Sequence, residues 1–195
     1  MQGILLAAGC GSRFDARGAR DKLLVPLADG QPVLVHAARA MVAALPGTLA
    51  VVRPGQAARE RVLHAAGCQV LVSPAAEAGM GAALADAVRA RADAGPWVVS
   101  LGDMPCIPAA LVAAVAAAIE GPQDIAAAFH QGRRGHPVAF GCGWGAELMA
   151  LTGDQGARTL LARAKLRPVD WPEADILRDV DRPEDLAALL NPRCA

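Results

Sequence analysis

The stretch Leu6-Ala7-Ala8-Gly9-Cys10-Gly11-Ser12-Arg13-Phe14 follows directly on a short apolar run beginning at Gly3, and Lys22 comes soon after it. An apolar run that ends in closely spaced glycines is how a buried strand turns into a phosphate-facing loop. Glycines let the backbone come close to phosphates with its N–H groups pointing at them. Arg13 and Lys22 supply mobile positive charge for the same phosphates. The competing account is an ordinary tight turn between strand and helix. A P-loop is excluded, because no Gly-Lys-Ser/Thr follows. A dinucleotide-binding loop is disfavoured, because Arg13 and Phe14 stand where that fingerprint needs small residues.

Outward from this loop, short apolar runs alternate with longer alanine- and leucine-rich stretches. Strands are expected near residues 3–8, 48–53, 69–73 and 97–102, with helices near 33–45, 57–66 and 80–94. In the last of these, Met80, Leu84 and Val88 recur at a spacing of four and share a face. A helix near 108–119 begins with Pro108, at a position that tolerates proline. Such alternation implies βαβ units and a Rossmann-like, three-layer α/β fold with a mostly parallel central sheet. Ligands then bind beyond the carboxyl ends of the strands. From about Asp124 the pattern is less regular. Strands are expected near 125–130 and 137–140, helices near 144–151 and 157–164, and a final helix from Pro183 through Leu186, Leu189 and Leu190. The expected organisation is one domain over 1–195, regular to about 123 and less regular after it.

The chain has 195 residues, enough to bury a core of its own, and 54% of them are hydrophobic. Lysine plus arginine equals aspartate plus glutamate, so the formal net charge is zero. Nucleic acid is therefore disfavoured as a partner, since phosphate neutralisation calls for a basic face. A free triphosphate needs only a few fixed charges and backbone N–H groups. The cysteines (Cys10, Cys68, Cys106, Cys142, Cys194) are scattered without a C-x-x-C pair, so neither a disulfide framework nor a zinc site is expected. Leu5 to Cys10 superficially resembles a lipoprotein signal but lacks a positive flank and is too short. No run reaches the ~18 apolar residues of a membrane span. The expectation is a soluble, cytoplasmic protein without a membrane partner.

Later segments carry more chemistry. Leu101-Gly102-Asp103-Met104-Pro105 places an aspartate at a strand tip on the same sheet edge as the glycine loop, where it can hold Mg²⁺ between phosphates. Capping the following helix is its alternative role. In Asp179-Val180-Asp181-Arg182-Pro183-Glu184-Asp185, Asp181 reads locally as an N-cap and functionally as the second carboxylate of a metal site. Gly79-Met80-Gly81 precedes a helix and reads as a turn into it or as a close approach to a base. Gly132-Arg133-Arg134-Gly135-His136-Pro137 and Gly153-Asp154-Gln155-Gly156-Ala157-Arg158 are either glycine-rich turns or binding segments.

In their order and spacing, these segments resemble the molybdenum cofactor cytidylyltransferase family, molybdopterin nucleotidyltransferases, over nearly the whole chain. The resemblance implies the nucleotidyltransferase version of the Rossmann-like fold. It also implies Mg²⁺, with Mn²⁺ as the alternative, held by Asp103 and Asp181. Arg13, Lys22 and Asp103 become the catalytic set. Leu6, Ala7, Ala8, Gly9, Gly11, Lys22, Ser73, Gly79, Met80, Gly81 and Gly102 become the nucleotide contacts, and Gly135, His136, Asp154 and Gly156 the acceptor contacts. Two features depart from the family's pattern. The stretch Phe14 to Asp21 is longer than the usual loop, and Ala83 stands where relatives often carry serine.

The expected reaction is transfer of CMP from CTP to the phosphate of molybdopterin, with release of pyrophosphate. A molybdenum hydroxylase or its chaperone is the candidate recipient of the product. A phosphate monoester has a second pKa near ~6, so the acceptor is already largely dianionic and needs no Ser, Cys or His nucleophile. Alignment, charge neutralisation and a metal suffice. The rivals are a cytidylyl- or uridylyltransferase for a sugar or polyol phosphate, a non-catalytic molybdenum cofactor chaperone, and an NAD-dependent enzyme.

Overall fold

Burial along the first strand sets the layering. Every residue of β1 (Gln2–Leu6) is buried. Leu5 packs into one apolar cluster, while Ile4 and Leu6 pack into another on the opposite face. A strand buried on both faces belongs inside a parallel sheet. The same alternation continues in β2 (Leu49–Val52), with Ala50 and Val52 on the first side and Leu49 and Val51 on the second.

The computed structural model describes residues 1–15 and 19–189. In it, β1 pairs in parallel with β2 and with β4 (Trp97–Leu101), and β2 pairs in parallel with β3 (Gln69–Val72). With β5 (Ile125–His130), β6 (Arg133–Phe140) and β7 (Leu166–Asp170), the described residues form a seven-stranded sheet ordered β3-β2-β1-β4-β6-β5-β7. β6 runs antiparallel to β4 and β5, and β7 runs parallel to β5, so the sheet is mostly parallel, as expected.

On the first face lie α1 (Val33–Ala44), α2 (Ala57–Ala65) and α4 (Ala109–Ala117). The stripe Val33, Leu34, Ala37, Ala38 and Met41 faces the core with Leu63 and Leu111. On the second face lie α3 (Met80–Ala90), α5 (Gly145–Met149) and α6 (Arg158–Arg163), which contribute Leu84, Val88, Leu148 and Leu160. Fully burying such a side chain contributes about 1.5–3 kcal/mol. Sheet and helices therefore make a stable frame, and the strand-end loops are free to serve chemistry. α7 (Pro183–Leu189) returns to the first face through Leu189.

Several expectations shift. The helix from Met80 ends at Ala90, and 92–94 is a separate 3₁₀ turn. β6 starts at Arg133 rather than Pro137, and β7 was not anticipated. Cys10, Cys68 and Cys142 are free thiols. Leu190 and Cys194 lie outside the described residues, as do Ala16, Arg17 and Gly18. Among the described residues no helix is long and apolar enough to cross a membrane.

Candidate active site

Leu6 and Leu101 are partners in the β1–β4 ladder, so the two loops leave the sheet side by side. Gly102 makes this approach possible. Its N–H donates to the Leu6 carbonyl at 2.9 Å, and a Cβ there would stand 2.9 Å from Leu34 Cδ1 and 3.2 Å from that carbonyl. Asp103 follows at once. Its own carbonyl accepts from the Val180 N–H at 2.9 Å, which draws the distant segment carrying Asp181 to the same edge.

Lys22 lies between the two carboxylates, 2.7 Å from Asp103 Oδ2 and 3.0 Å from Asp181 Oδ1. Arg13 Nη1 takes the other Asp181 oxygen at 2.5 Å. Burial alone would lower the Lys22 ammonium, but Asp103 and Asp181 outweigh it and hold it above its ordinary value. For Asp181, burial pushes the carboxyl up, yet Lys22 and then Arg13 outweigh that and hold it below its ordinary range. Asp179 goes the other way, raised by burial and by the charges of Asp181 and Asp103. Lys22 is thus a fixed cation, not the mobile one expected. Arg13 has a side chain 74% exposed and is paired with Asp181. Asp181 is also free of capping duty, because Asp185 Oδ2 accepts from the amides of Asp181 and Arg182.

The long stretch after Arg13 does not displace Lys22. Phe14 is buried, its amide bonds the Gly11 carbonyl at 2.9 Å, and Arg20 stacks 5.5 Å from its ring centroid. The Arg20 amide bonds Asp15 at 2.8 Å. Gly11 adopts φ +65°, a conformation that favours glycine, and it sits against the Lys22 stem. Arg59 was not anticipated. It is buried and bonds the carbonyls of Ala7 and Gly9 as well as Asp21. A charged residue on a helix gives no sequence signal of that role.

A cavity of about 330 Å³ opens beside the loop, walled by Leu6, Ala8, Gly9, Arg53, Glu77, Gly79, Met80, Ala83, Leu101, Asp103 and Asp154. A Cβ on Gly9 would meet nothing within 4 Å, so that position faces open space. Ala7 is buried just behind the wall. Ser73, expected at the nucleotide, has no exposure. Its hydroxyl bonds Asp86 at 2.6 Å and caps the turn at 74–78, so its role is structural.

A second cavity of about 480 Å³ adjoins the first through Leu6, Met80, Leu101 and Asp154. Leu84, Val99, Val138, Phe140 and Leu161 form an apolar wall, with Arg134, His136, Gln155, Gly156 and Arg158 among the other wall residues. Burial pushes the His136 ring below its ordinary value, only partly offset by the Val99 backbone. Its Nδ1 is buried without a hydrogen-bond partner. Gly135 is used differently from expectation. It does not line the cavity, and a Cβ there would stand 2.9 Å from Leu177 Cδ2 and 3.0 Å from the Ile176 carbonyl.

Gly79 and Gly81 also owe their identity to packing. A Cβ on Gly79 would lie 2.7 Å from the Asp154 backbone, and one on Gly81 would lie 2.7 Å from the Thr152 carbonyl. The Gly81 amide bonds the Gly153 carbonyl at 2.8 Å, and Asp154 Oδ1 accepts from the Met80 amide at 3.3 Å. The loop at 152–154 therefore holds the start of α3, and Asp154 borders both cavities.

Sheet order and site together define a nucleotidyltransferase, with a glycine loop, a fixed lysine and carboxylates at one sheet edge. Residues 3–169 match the MobA-like NTP transferase domain, and the chain belongs to that family. No curated protein matches significantly. Among solved structures, the chain is similar to Rv0371c from Mycobacterium tuberculosis H37Rv, with 26% identity, TM-score 0.79, and coverage of 97% of this chain and 96% of that one. A structure of Rv0371c in complex with manganese aligns at 24% identity and TM-score 0.78, covering 98% of each chain. A nucleotidyl transferase from Methanothermobacter thermautotroptrophicus shares the fold at TM-score 0.83 and 21% identity, over 98% of this chain and 96% of that one.

Proposed function

We propose that this nucleotidyltransferase moves CMP from CTP to the terminal phosphate of molybdopterin in the cytoplasm and releases pyrophosphate. The observation that carries the reading is the pair of adjoining cavities, one bordered by the glycine loop and Asp103, the other apolar-walled with Arg134, His136 and Arg158. The first suits the triphosphate, the second a flat heterocycle bearing an anionic group. Residues to about 123 would supply most of the nucleotide side, and the remainder most of the acceptor side.

The donor set fits a divalent metal. Asp103 and Asp181 converge on one ammonium, so two hard oxygen donors already face one cationic position. Mg²⁺ on a triphosphate calls for only one or two protein carboxylates, the phosphates and water supplying the rest. The manganese complex of Rv0371c supports a divalent ion, with Mg²⁺ or Mn²⁺ as the candidates. When bound, the ion neutralises phosphate charge. Asp103 and Asp181 would hold it, Lys22 stands as a fixed positive charge beside them, and Arg13 can leave Asp181 for the phosphates.

The acceptor phosphate, dianionic with a second pKa near ~6, forms a bond from oxygen to the α-phosphorus. The bond between the α-phosphorus and its bridging oxygen breaks, and that electron pair leaves on pyrophosphate. No proton need be removed from the nucleophile. His136, in the wall of the second cavity, would be the hydrogen-bonding group for the acceptor. A molybdenum hydroxylase or its chaperone would receive the product. The test is a screen of the four triphosphates with molybdopterin and with sugar and polyol phosphates, monitored by pyrophosphate release. CTP with molybdopterin should give the highest rate. Turnover of a sugar phosphate but not molybdopterin would replace this acceptor.

A further inference from the structure

We infer that Arg59 and Asp21 form a clamp that fixes the glycine loop and the Lys22 turn in the register a triphosphate requires. Arg59 is 3% exposed and lies one helical turn before Leu63 on the buried face of α2. Its Nη1 donates to the carbonyls of Ala7 at 2.5 Å and Gly9 at 2.9 Å. Nε and Nη2 make a two-pronged ion pair with Asp21, at 2.6 and 2.8 Å. Nearly the whole guanidinium fork is thus engaged, all of it with chain groups flanking the phosphate-facing segments.

Two consequences follow. The carbonyls of Ala7 and Gly9 point at Arg59, which does not line the nucleotide cavity, so their negative ends are turned away from incoming phosphates. Asp21 in turn accepts from the Leu23 amide at 3.0 Å and caps the short turn at 22–24, whose first residue is Lys22. One side chain therefore ties together two phosphate-binding segments that the sequence separates by the long stretch from Phe14 to Asp21. A longer loop gives its far end more positions to sample, and misplacement of a charged group by about 1 Å can cost ~10²-fold in rate. The clamp removes that freedom. A lysine cannot replace it, because a single ammonium lacks the planar fork that reaches a carboxylate and two carbonyls at once. Arg59 is accordingly a positioning residue, acting through the loop and through Asp21. The inference rests on the nucleotidyltransferase reading but not on the choice of base or acceptor.

The test compares Arg59→Lys, Asp21→Asn and the double variant with wild type. The probe is whichever of the four Mg-triphosphates the wild type binds most tightly, measured by calorimetry, alongside thermal melting. Hydrogen exchange without nucleotide is followed at the amides of 8–13 and 22–24. Each single variant should bind the triphosphate about tenfold or more weakly, with the double no worse than the weaker single, as expected for coupled partners. Exchange in the two segments should accelerate while the amides of α2 stay protected. Near-normal triphosphate affinity in Asp21→Asn would overturn the clamp, as would losses that multiply in the double variant. So would faster exchange spread evenly over the whole fold, which is the mark of a merely structural arginine. The exchange readout needs no nucleotide, so it separates a failed clamp from a mistaken nucleotide.

Discussion

The Lys22 ammonium lies 2.7 Å from Asp103 Oδ2, although 81 positions of sequence separate the two residues. With Asp181 at 3.0 Å, the lysine cancels the mutual repulsion of two carboxylates at one point. Lys22→Met should therefore have two separable effects. Turnover should fall by about 2.7–4 kcal/mol in activation free energy, the usual loss for an electrostatic partner of the transition state. In chelator the variant should also melt lower, by about 2 kcal/mol of stability, less than for a fully buried pair because Asp181 keeps contact with water. Adding Mg²⁺ or Mn²⁺ should restore more melting temperature to the variant than to wild type. Equal metal responses in both would argue against a metal held by these carboxylates.

Asp179 and Asp181 are distinguished by their partners. Asp181 is held below its ordinary range, with Lys22 and Arg13 outweighing its burial, whereas Asp179 is raised by burial and by its acidic neighbours. Asp181→Asn and Asp103→Asn should nearly abolish turnover with the fold retained, as judged by circular dichroism. Asp179→Asn should keep turnover within a few-fold of wild type, since it relieves like-charge repulsion. A dead Asp179→Asn beside an active Asp181→Asn would exchange their roles.

The sheet was readable in advance because buried strands appear as short apolar runs and their loops as glycine. The first half of β6 is not legible because Arg133-Arg134-Gly135-His136 carries no apolar pattern, though it pairs with β5 from Arg133 onwards. β7 was missed because Leu166-Arg167-Pro168-Val169-Asp170 is an edge strand that includes a proline, which local propensity reads as a break. Within the site, the positions of Asp103 and Lys22 were legible from motifs. The buried face of Arg59 was not, because only the tertiary contacts distinguish it from a solvated helix arginine. The glycines at 79, 81 and 135 stand out in the sequence as turns or as close approaches to a ligand, and chain atoms lie closest to them.

Gly81 makes that last point measurable. A Cβ there would press on the carbonyl oxygens of Thr152 and Gly153 at 2.7 and 2.9 Å, backbone atoms with little room to move. Gly81→Ala should destabilise the protein by about 1–3 kcal/mol, the range for overpacking, read as a lower denaturation midpoint. An unchanged midpoint would mean that the 152–154 loop yields freely.

The base is the next choice. Ala8 forms part of the wall of the cavity beside the glycine loop, which the proposed function gives to the nucleotide. Wild type should prefer CTP to GTP in competition at equal concentrations. Ala8→Gly should weaken that preference by no more than about 1–3 kcal/mol, the scale of small packing differences. A wild-type preference for GTP would defeat the assignment.

The acceptor side is tested by two variants that should now behave differently. Of the two cavities His136 lines the second alone, and its ring is buried. Asp154 borders both cavities and accepts from the Met80 amide at the start of α3. His136→Ala should raise the acceptor KM or lower kcat while CTP affinity, measured by calorimetry, stays at the wild-type value. The size expected is about 1–3 kcal/mol, the cost of leaving a polar group of the acceptor unmatched. Asp154→Ala should weaken both ligands, because it removes a wall group from each cavity and frees the α3 amide between them. The contrast separates an acceptor contact from a joint. If His136→Ala also loses CTP affinity, the histidine is holding the sheet edge rather than the acceptor. If Asp154→Ala affects the acceptor alone, the Met80 bond contributes nothing to the nucleotide side.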